Sequence, residues 1–174
     1  RRNRLLFPGS FNPLHEGHCQ LAAAAARLSE REVALEISVH NVDKPPLEQR
    51  ELEQRLELAR GRFAVCLTRE PTFYGKARHF CSPHFVIGYD TAVRLLDEKY
   101  YEEGAMGMER ALEELLNRAC RFWVAGRQIG GVYRTLNDVV IPAALSDLFT
   151  AIDEEHFRLD ISSTEVRAND RHRK

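Results

Sequence analysis

Neither sign of charge dominates this chain of 174 residues, in which 25 Lys and Arg stand against 26 Asp and Glu for a formal net charge of −1. That balance excludes the strongly basic proteins that coat nucleic acids. Long apolar runs are missing too. Charged residues interrupt every apolar stretch well short of the roughly 18 residues that read as a membrane span. Arg1-Arg2-Asn3-Arg4 is followed by only Leu5-Leu6-Phe7 before Pro8, too short for the apolar region of a secretory signal. Cysteine is sparse: Cys19, Cys66, Cys81 and Cys120 are scattered, with no C-x-x-C pair. Such usage fits free thiols in a reducing compartment, and a cytoplasmic location is expected. Internal repeats and low-complexity linkers are absent as well. What the chain does have is 44% hydrophobic and 29% charged residues, over a length that fits one domain. That is enough to bury a core without a disulfide or metal staple. A single domain over 1–174 is expected, with 1–3 and 168–174 as frayed tails.

Apolar and amphipathic segments alternate along it. Arg4-Leu5-Leu6-Phe7 is a short apolar run stopped by Pro8-Gly9 and reads as a buried strand entering a turn. The alanine-rich stretch His18 to Leu28 has strong helix propensity. Val33 to Val39 reads as a second strand, and His40 to Pro46, with two consecutive prolines, as loop. Leu47 to Arg60 carries Leu47, Leu52, Leu56 and Ala59 at helical spacing. Further strands are expected at Phe63 to Leu67, Phe85 to Ile87 and Arg121 to Ala125, with helices over Thr91 to Asp97 and Met106 to Cys120. Gln128 to Asn137 reads as glycine-containing loop. Val139 to Ile141 and Phe157 to Leu159 are weaker strand candidates around a short helix near Ala143 to Phe149, and the tail from Ser163 reads as a closing helix. Strands alternating with helices imply an α/β fold, a Rossmann-like parallel sheet with right-handed crossovers and helices on both faces. In such a sheet ligands sit beyond the carboxyl ends of the strands, near the switch in strand order.

The segment after the first strand is Gly9-Ser10-Phe11-Asn12-Pro13-Leu14-His15-Glu16-Gly17-His18. Glycine and a small hydroxyl residue let backbone approach a polyanion closely. His15 and His18 stand at the start of the alanine-rich helix, whose positive dipole end favours anions. Gly17 between them keeps the turn open to a ligand. A zinc site is not expected, because zincins space their histidines at i and i+4, whereas these lie at i and i+3 with no third ligand. Gly9 and Pro13 also serve as ordinary turn punctuation. Near the other end, Ser162-Ser163-Thr164-Glu165-Val166-Arg167 puts three hydroxyls at a helix start with an arginine one turn inside. Ser162 with Glu165 makes a capping box that needs no ligand. The same hydroxyls, free helical N–H groups and arginine also make a phosphate cradle. A capped helix can do both.

A GSFNPLHEGH segment after strand one, with ISSTEVR near the C-terminus, resembles the T/H-x-G-H nucleotidyltransferase superfamily. Within it, the chain is similar to the nicotinamide mononucleotide adenylyltransferase and cytidylyltransferase-like branch, from about Leu5 to Arg167. The resemblance implies a nucleotidyltransferase-type parallel sheet and transfer of a nucleoside monophosphate from ATP, as co-substrate, to a phosphate-bearing acceptor with release of pyrophosphate. By that resemblance Gly9, Ser10 and Phe11 run along the nucleotide, and His15 and His18 bind the triphosphate. Ser162, Ser163, Thr164 and Arg167 grip the departing phosphates. Gly88 and Asp90 match a G-x-D that contacts ribose or the second substrate; Lys44 sits where relatives keep a phosphate-binding lysine, and Arg127 where they line the nucleotide pocket. Mg²⁺ rides on the nucleotide phosphates rather than in a protein cage. The implied acceptor is nicotinamide mononucleotide, giving NAD. A cytidylyltransferase, a phosphopantetheine-type adenylyltransferase and a non-catalytic nucleotide-binding module are the alternatives. No nucleic acid and no membrane partner is implied, and a homo-oligomer is left open. Pro8 departs from the small or apolar residue usual before Gly9. No tryptophan lies in a loop suited to stacking on nicotinamide: Trp123 reads as core, which leaves Phe73 and Tyr74 as candidates for that contact.

Overall fold

The computed structural model of the chain describes residues 4–40 and 47–158. Its strands are β1 (Arg4–Pro8), β2 (Glu32–Ser38), β3 (Ala64–Thr68), β4 (His84–Gly88), β5 (Arg121–Ala125) and, after a small hairpin, β8 (Phe149–Ile152). They form one six-stranded sheet in the order β3-β2-β1-β4-β5-β8, every pair parallel. The helices between them are α1 (Glu16–Ser29), α2 (Gln49–Ala59), α3 (Phe73–Ala77), α4 (Tyr89–Leu95) and α5 (Gly104–Asn117). The chain winds outward from β1 through β2 to β3, then returns to lay β4 on the other side of β1. That reversal makes the β1–β4 seam the switch point, the expected place for a ligand. The ladder across the seam is short, with only Leu5–His84 and Leu6–Phe85 in register, whereas β1 and β2 pair from Arg4–Glu32 to Pro8–Glu36.

Both faces are covered, as the near-continuous apolar strands require. Leu5 and Phe7, Leu35 and Ile37, and Val86 point to the side packed by α1 and α2. Leu6, Ala34, Phe85, Ile87, Phe122 and Val124 point to the side packed by α3, α4 and α5. Helix α1 approaches closely because the residues it buries, Ala22, Ala24 and Ala25, are small; Leu21 adds bulk at one end. Helix α5 buries Met108, Leu112 and Leu115 at i, i+4 and i+7. It stops three residues before the expected Cys120, because Ala119 adopts a left-handed conformation (φ 53°) and turns the chain into β5.

The sixth strand is not where the sequence puts it. Val139 to Ile141 forms no strand; Val140 is 90% exposed, and Pro142 follows directly. Phe157 is a buried plug against the α1 side rather than part of a strand, and Leu159 lies outside the described residues. The edge strand is instead Phe149–Ile152, and the helix read over Ala143 to Phe149 is a 3-10 segment, Ala143–Leu148. Gln128 to Asn137 is not plain loop. It holds the antiparallel hairpin β6 (Arg127–Ile129) and β7 (Val132–Arg134), turned at Gly130 and Gly131, both with positive φ. Helix α3 begins at Phe73, in a stretch where no element was expected, with Thr72 capping it through a 3.1 Å hydrogen bond from the Gly75 N–H. The tail from Ser163 lies outside the described residues.

Candidate active site

The histidine motif wraps the carboxyl end of β1 into α1. His15 is the N-cap residue, so the helix begins at Glu16 rather than at His18, and Gly17 is buried in its first turn instead of opening a loop. The His15 backbone N–H donates to His18 Nδ1 at 3.2 Å, and the two imidazoles stack with centroids 3.7 Å apart. Burial lowers the pKa of both rings. For His18 burial, followed by the neighbouring His15, brings it down to about 4. With Nδ1 occupied as an acceptor, neutral His18 carries its proton on Nε2. At neutral pH the pair is therefore a set of uncharged N–H donors at a helix N-terminus.

Phe11 does not offer its ring to a ligand. The side chain is buried, edge-on to Phe7 at 5.4 Å and to His18 at 5.1 Å, and its backbone takes φ 44°. Gly9 makes way for it: a Cβ there would stand 2.7 Å from the Phe11 ring. Gly9 and Ser10 are themselves exposed, and the Gly9 N–H is spent on the Glu36 carbonyl at 3.0 Å. Phe11 thus braces His18 from behind while Ser10 faces solvent.

Across the seam, Gly88 caps the start of α4, and Asp90 in the first turn of that helix makes an ion pair with Arg127 at the start of β6. Two residues that the sequence placed after different strands are one guanidinium–carboxylate pair at the ends of β4 and β5. A cavity of about 650 Å³ opens over the carboxyl ends of β1 and β4, with Gly9, Ser10, Gly88 and Thr91 in its wall; His15, His18, Asp90 and Arg127 are not among its lining residues. Its side under β2 holds an ion pair absent from the sequence reading, Lys76 Nζ to Glu36 Oε2 at 2.8 Å, with both side chains buried. Phe73 packs edge-on to Phe85 and Phe122 at 5.1 Å each, and both it and Tyr74 are part of the cavity wall. Trp123 is half-buried and donates from Nε1 to His84 Nδ1 at 3.3 Å, a packing role as expected.

The model of the cytidylyltransferase-like family matches residues 6–169, nearly the whole chain. The chain belongs to that family. Similar proteins include phosphopantetheine adenylyltransferases from Pseudarthrobacter chlorophenolicus and Paenarthrobacter aurescens, each 32% identical over 111 residues, covering 63% of this chain and 64% of the relative. Another, from an Arthrobacter species, is 31% identical over 111 residues and is covered to 67%. The match therefore spans a little under two thirds of the first of these relatives.

Within this cytidylyltransferase-like fold, His15, His18, Gly9, Ser10, Gly88, Asp90 and Arg127 all lie at the carboxyl ends of β1, β4 and β5. Lys44, Ser162, Ser163, Thr164 and Arg167 lie outside the described residues. Missed from sequence were Glu36 and Lys76. The signal for the first is an acidic residue inside the otherwise inward-facing run Val33 to Ser38. Its partner comes from α3, a helix of five residues, too short to show a period.

Proposed function

We propose that this chain transfers a nucleotidyl group from a nucleoside triphosphate, ATP, to a phosphate monoester, with release of pyrophosphate. The observation that carries this reading is the stacked His15–His18 pair at the N-terminus of α1, set at the sheet's switch point in a chain of this family. An oxygen of the acceptor phosphate attacks the α-phosphorus; the bond from that phosphorus to the bridging oxygen breaks, and pyrophosphate leaves with the electron pair. A phosphate monoester is already largely ionised near neutral pH, so no side chain has to take a proton. The chain's work is positioning and charge stabilisation. His18 donates its Nε2 proton as a hydrogen bond to a phosphate oxygen, and the amides of the first turn of α1 add their dipoles. Arg167 with Ser162, Ser163 and Thr164 would hold the β- and γ-phosphates, and Lys44 the triphosphate from the other side. Asp90 and Arg127 border the nucleotide beyond β4 and β5.

Among the described residues no three His, Cys, Asp or Glu side chains converge on one point. These side chains do not build a cage for Mg²⁺, which would ride on the triphosphate and water; no step here is routed through it. The relatives' names favour a phosphopantetheine-type acceptor over nicotinamide mononucleotide, which the sequence resemblance put first. The test is pyrophosphate release from ATP and from CTP with each of these acceptors, against a no-acceptor control. Acceptor-dependent release is the expected result, fastest with ATP. No release above the control with any combination would overturn the reading and leave a nucleotide-binding module.

A further inference from the structure

The ion pair in the cavity wall is unusual in its cost. Lys76 is 6% exposed and Glu36 is fully buried, so both charges were taken out of water, which an apolar pair of the same size would avoid. The arrangement is also directional. Thr68 donates its hydroxyl to Glu36 Oε1 at 2.5 Å, Glu36 Oε2 holds the Lys76 ammonium at 2.8 Å, and that ammonium lies 5.5 Å from the Phe73 ring centroid. Glu36 is fully buried, the residual exposure of the pair belongs to the lysine, and both residues belong to the wall of the 650 Å³ cavity. An ammonium has three N–H donors and Glu36 takes only part of them. The cavity is thus offered a fixed donor whose charge is already cancelled.

That cancellation decides what the donor reads. A bare lysine would draw a second phosphate or a carboxylate. Here an anion approaching the ammonium would also approach the Glu36 carboxylate just behind it, and would lose its own hydration for little gain. A neutral carbonyl oxygen, the strongest uncharged acceptor in common metabolites, pays far less desolvation. Around the pair the wall carries Tyr74, Tyr101 and Leu95, and the guanidinium it also holds, Arg94, lies over the Tyr100 ring at 4.8 Å from the centroid.

We propose that Lys76, held by Glu36 and Thr68, is a specificity-determining residue that hydrogen-bonds a neutral amide carbonyl of the acceptor at the end remote from its phosphate. This rests on the nucleotidyl-transfer reading for the acceptor's phosphate, which is seated toward Ser10 and α1. Lys76 touches the acceptor, whereas Glu36 and Thr68 are positioning residues. The amide has two chemical sources: a carboxamide on a flat ring, or a secondary amide in a flexible arm.

The experiment is calorimetric binding to the full chain of three acceptors: nicotinamide mononucleotide, its near-isosteric carboxylate counterpart nicotinate mononucleotide, and phosphopantetheine. Pyrophosphate release is followed in parallel. At least one amide compound is expected to bind about ten-fold or more tighter than the carboxylate one, and which of the two does so identifies the source. In the double variant Glu36→Gln, Lys76→Met, which leaves no unpaired buried charge, the preference should shrink to about three-fold or less, seen in KM with a smaller change in kcat. Lys76→Arg, which keeps Glu36 paired but moves the donor, is the second variant should the double one fail to fold, and the same loss of preference is expected of it. Equal binding of amide and carboxylate compounds, no binding of any, or a preference that survives the substitutions would overturn the proposal. Pyrophosphate release without the amide preference sinks this inference and leaves nucleotidyl transfer standing, whereas the preference without release does the reverse.

Discussion

His18 combines two functions that pull its protonation in one direction. Buried beside His15 and accepting from a backbone amide, it is held neutral, and its folded-state pKa of about 4 lies well below the ordinary 6.5. Between those values the unfolded chain binds the extra proton and the folded chain does not, so stability is complete above about pH 6.5 and is lost as pH falls toward 4. Discounted for partial exposure, His18 contributes on the order of 2 kcal/mol to that loss. His84, lowered to about 4 by burial and by the neighbouring Arg31 and Arg121, titrates over the same window. Denaturant melts from pH 4 to pH 7.5 separate them: His18→Gln should flatten the slope, and a slope unchanged in that variant would assign the effect elsewhere. For catalysis, His18→Ala should lower kcat by about 10²–10³ while leaving ATP affinity much less affected, since the lost donor serves charge that grows in the transition state. Near-normal turnover in steady-state assays of that variant would remove His18 from the chemistry. Arg167→Lys tests the C-terminal motif in the same spirit. Charge is kept and the planar fork is lost, so turnover should fall while the ligand-free melting temperature stays put.

Elements long enough to show a period were legible, and the short ones were not. Alanine-rich α1 and the 14-residue α5 announce themselves by composition and spacing, β1, β4 and β5 by unbroken apolar runs, and β2 by an apolar run interrupted at Glu36. Helix α3 has five residues and β8 four, and the latter follows Ala-Ala-Leu-Ser-Asp-Leu, whose composition favours helix. The hairpin β6–β7 was hidden for the same reason: its strands are three residues each, and only Gly130-Gly131 betrays the turn. The same division holds for the site. His15 and His18 are neighbours in sequence, so their motif was visible, whereas Asp90–Arg127 and Glu36–Lys76 are joined only by folding. Gly126 tests how tightly the hairpin is seated. A Cβ there would come within 2.7 Å of the Tyr133 ring and 2.8 Å of the Arg134 carbonyl oxygen. Gly126→Ala should therefore cost about 1–3 kcal/mol in urea unfolding, and raise KM for ATP by displacing Arg127. A variant as stable as the parent would show the hairpin to be loosely docked.

At the level of the whole molecule, a ligand that binds only the folded chain must stabilise it. ATP with Mg²⁺ at about 100 times its dissociation constant should add roughly 2.7 kcal/mol, read as a rise in melting temperature that Arg167→Lys diminishes. The sheet says where that added stability should be felt. Its two halves, β3-β2-β1 and β4-β5-β8, meet along a ladder of two residue pairs, Leu5–His84 and Leu6–Phe85. One half carries the histidines and Lys76's anchor Glu36; the other carries Gly88, Asp90 and the approach to Arg127. Any molecule held by residues of both halves acts as a rivet across the least-stitched line of the sheet. Amide hydrogen exchange along β1 and β4 should slow more on ligand binding than exchange at the β2–β3 or β4–β5 ladders, which are already closed by five pairs each.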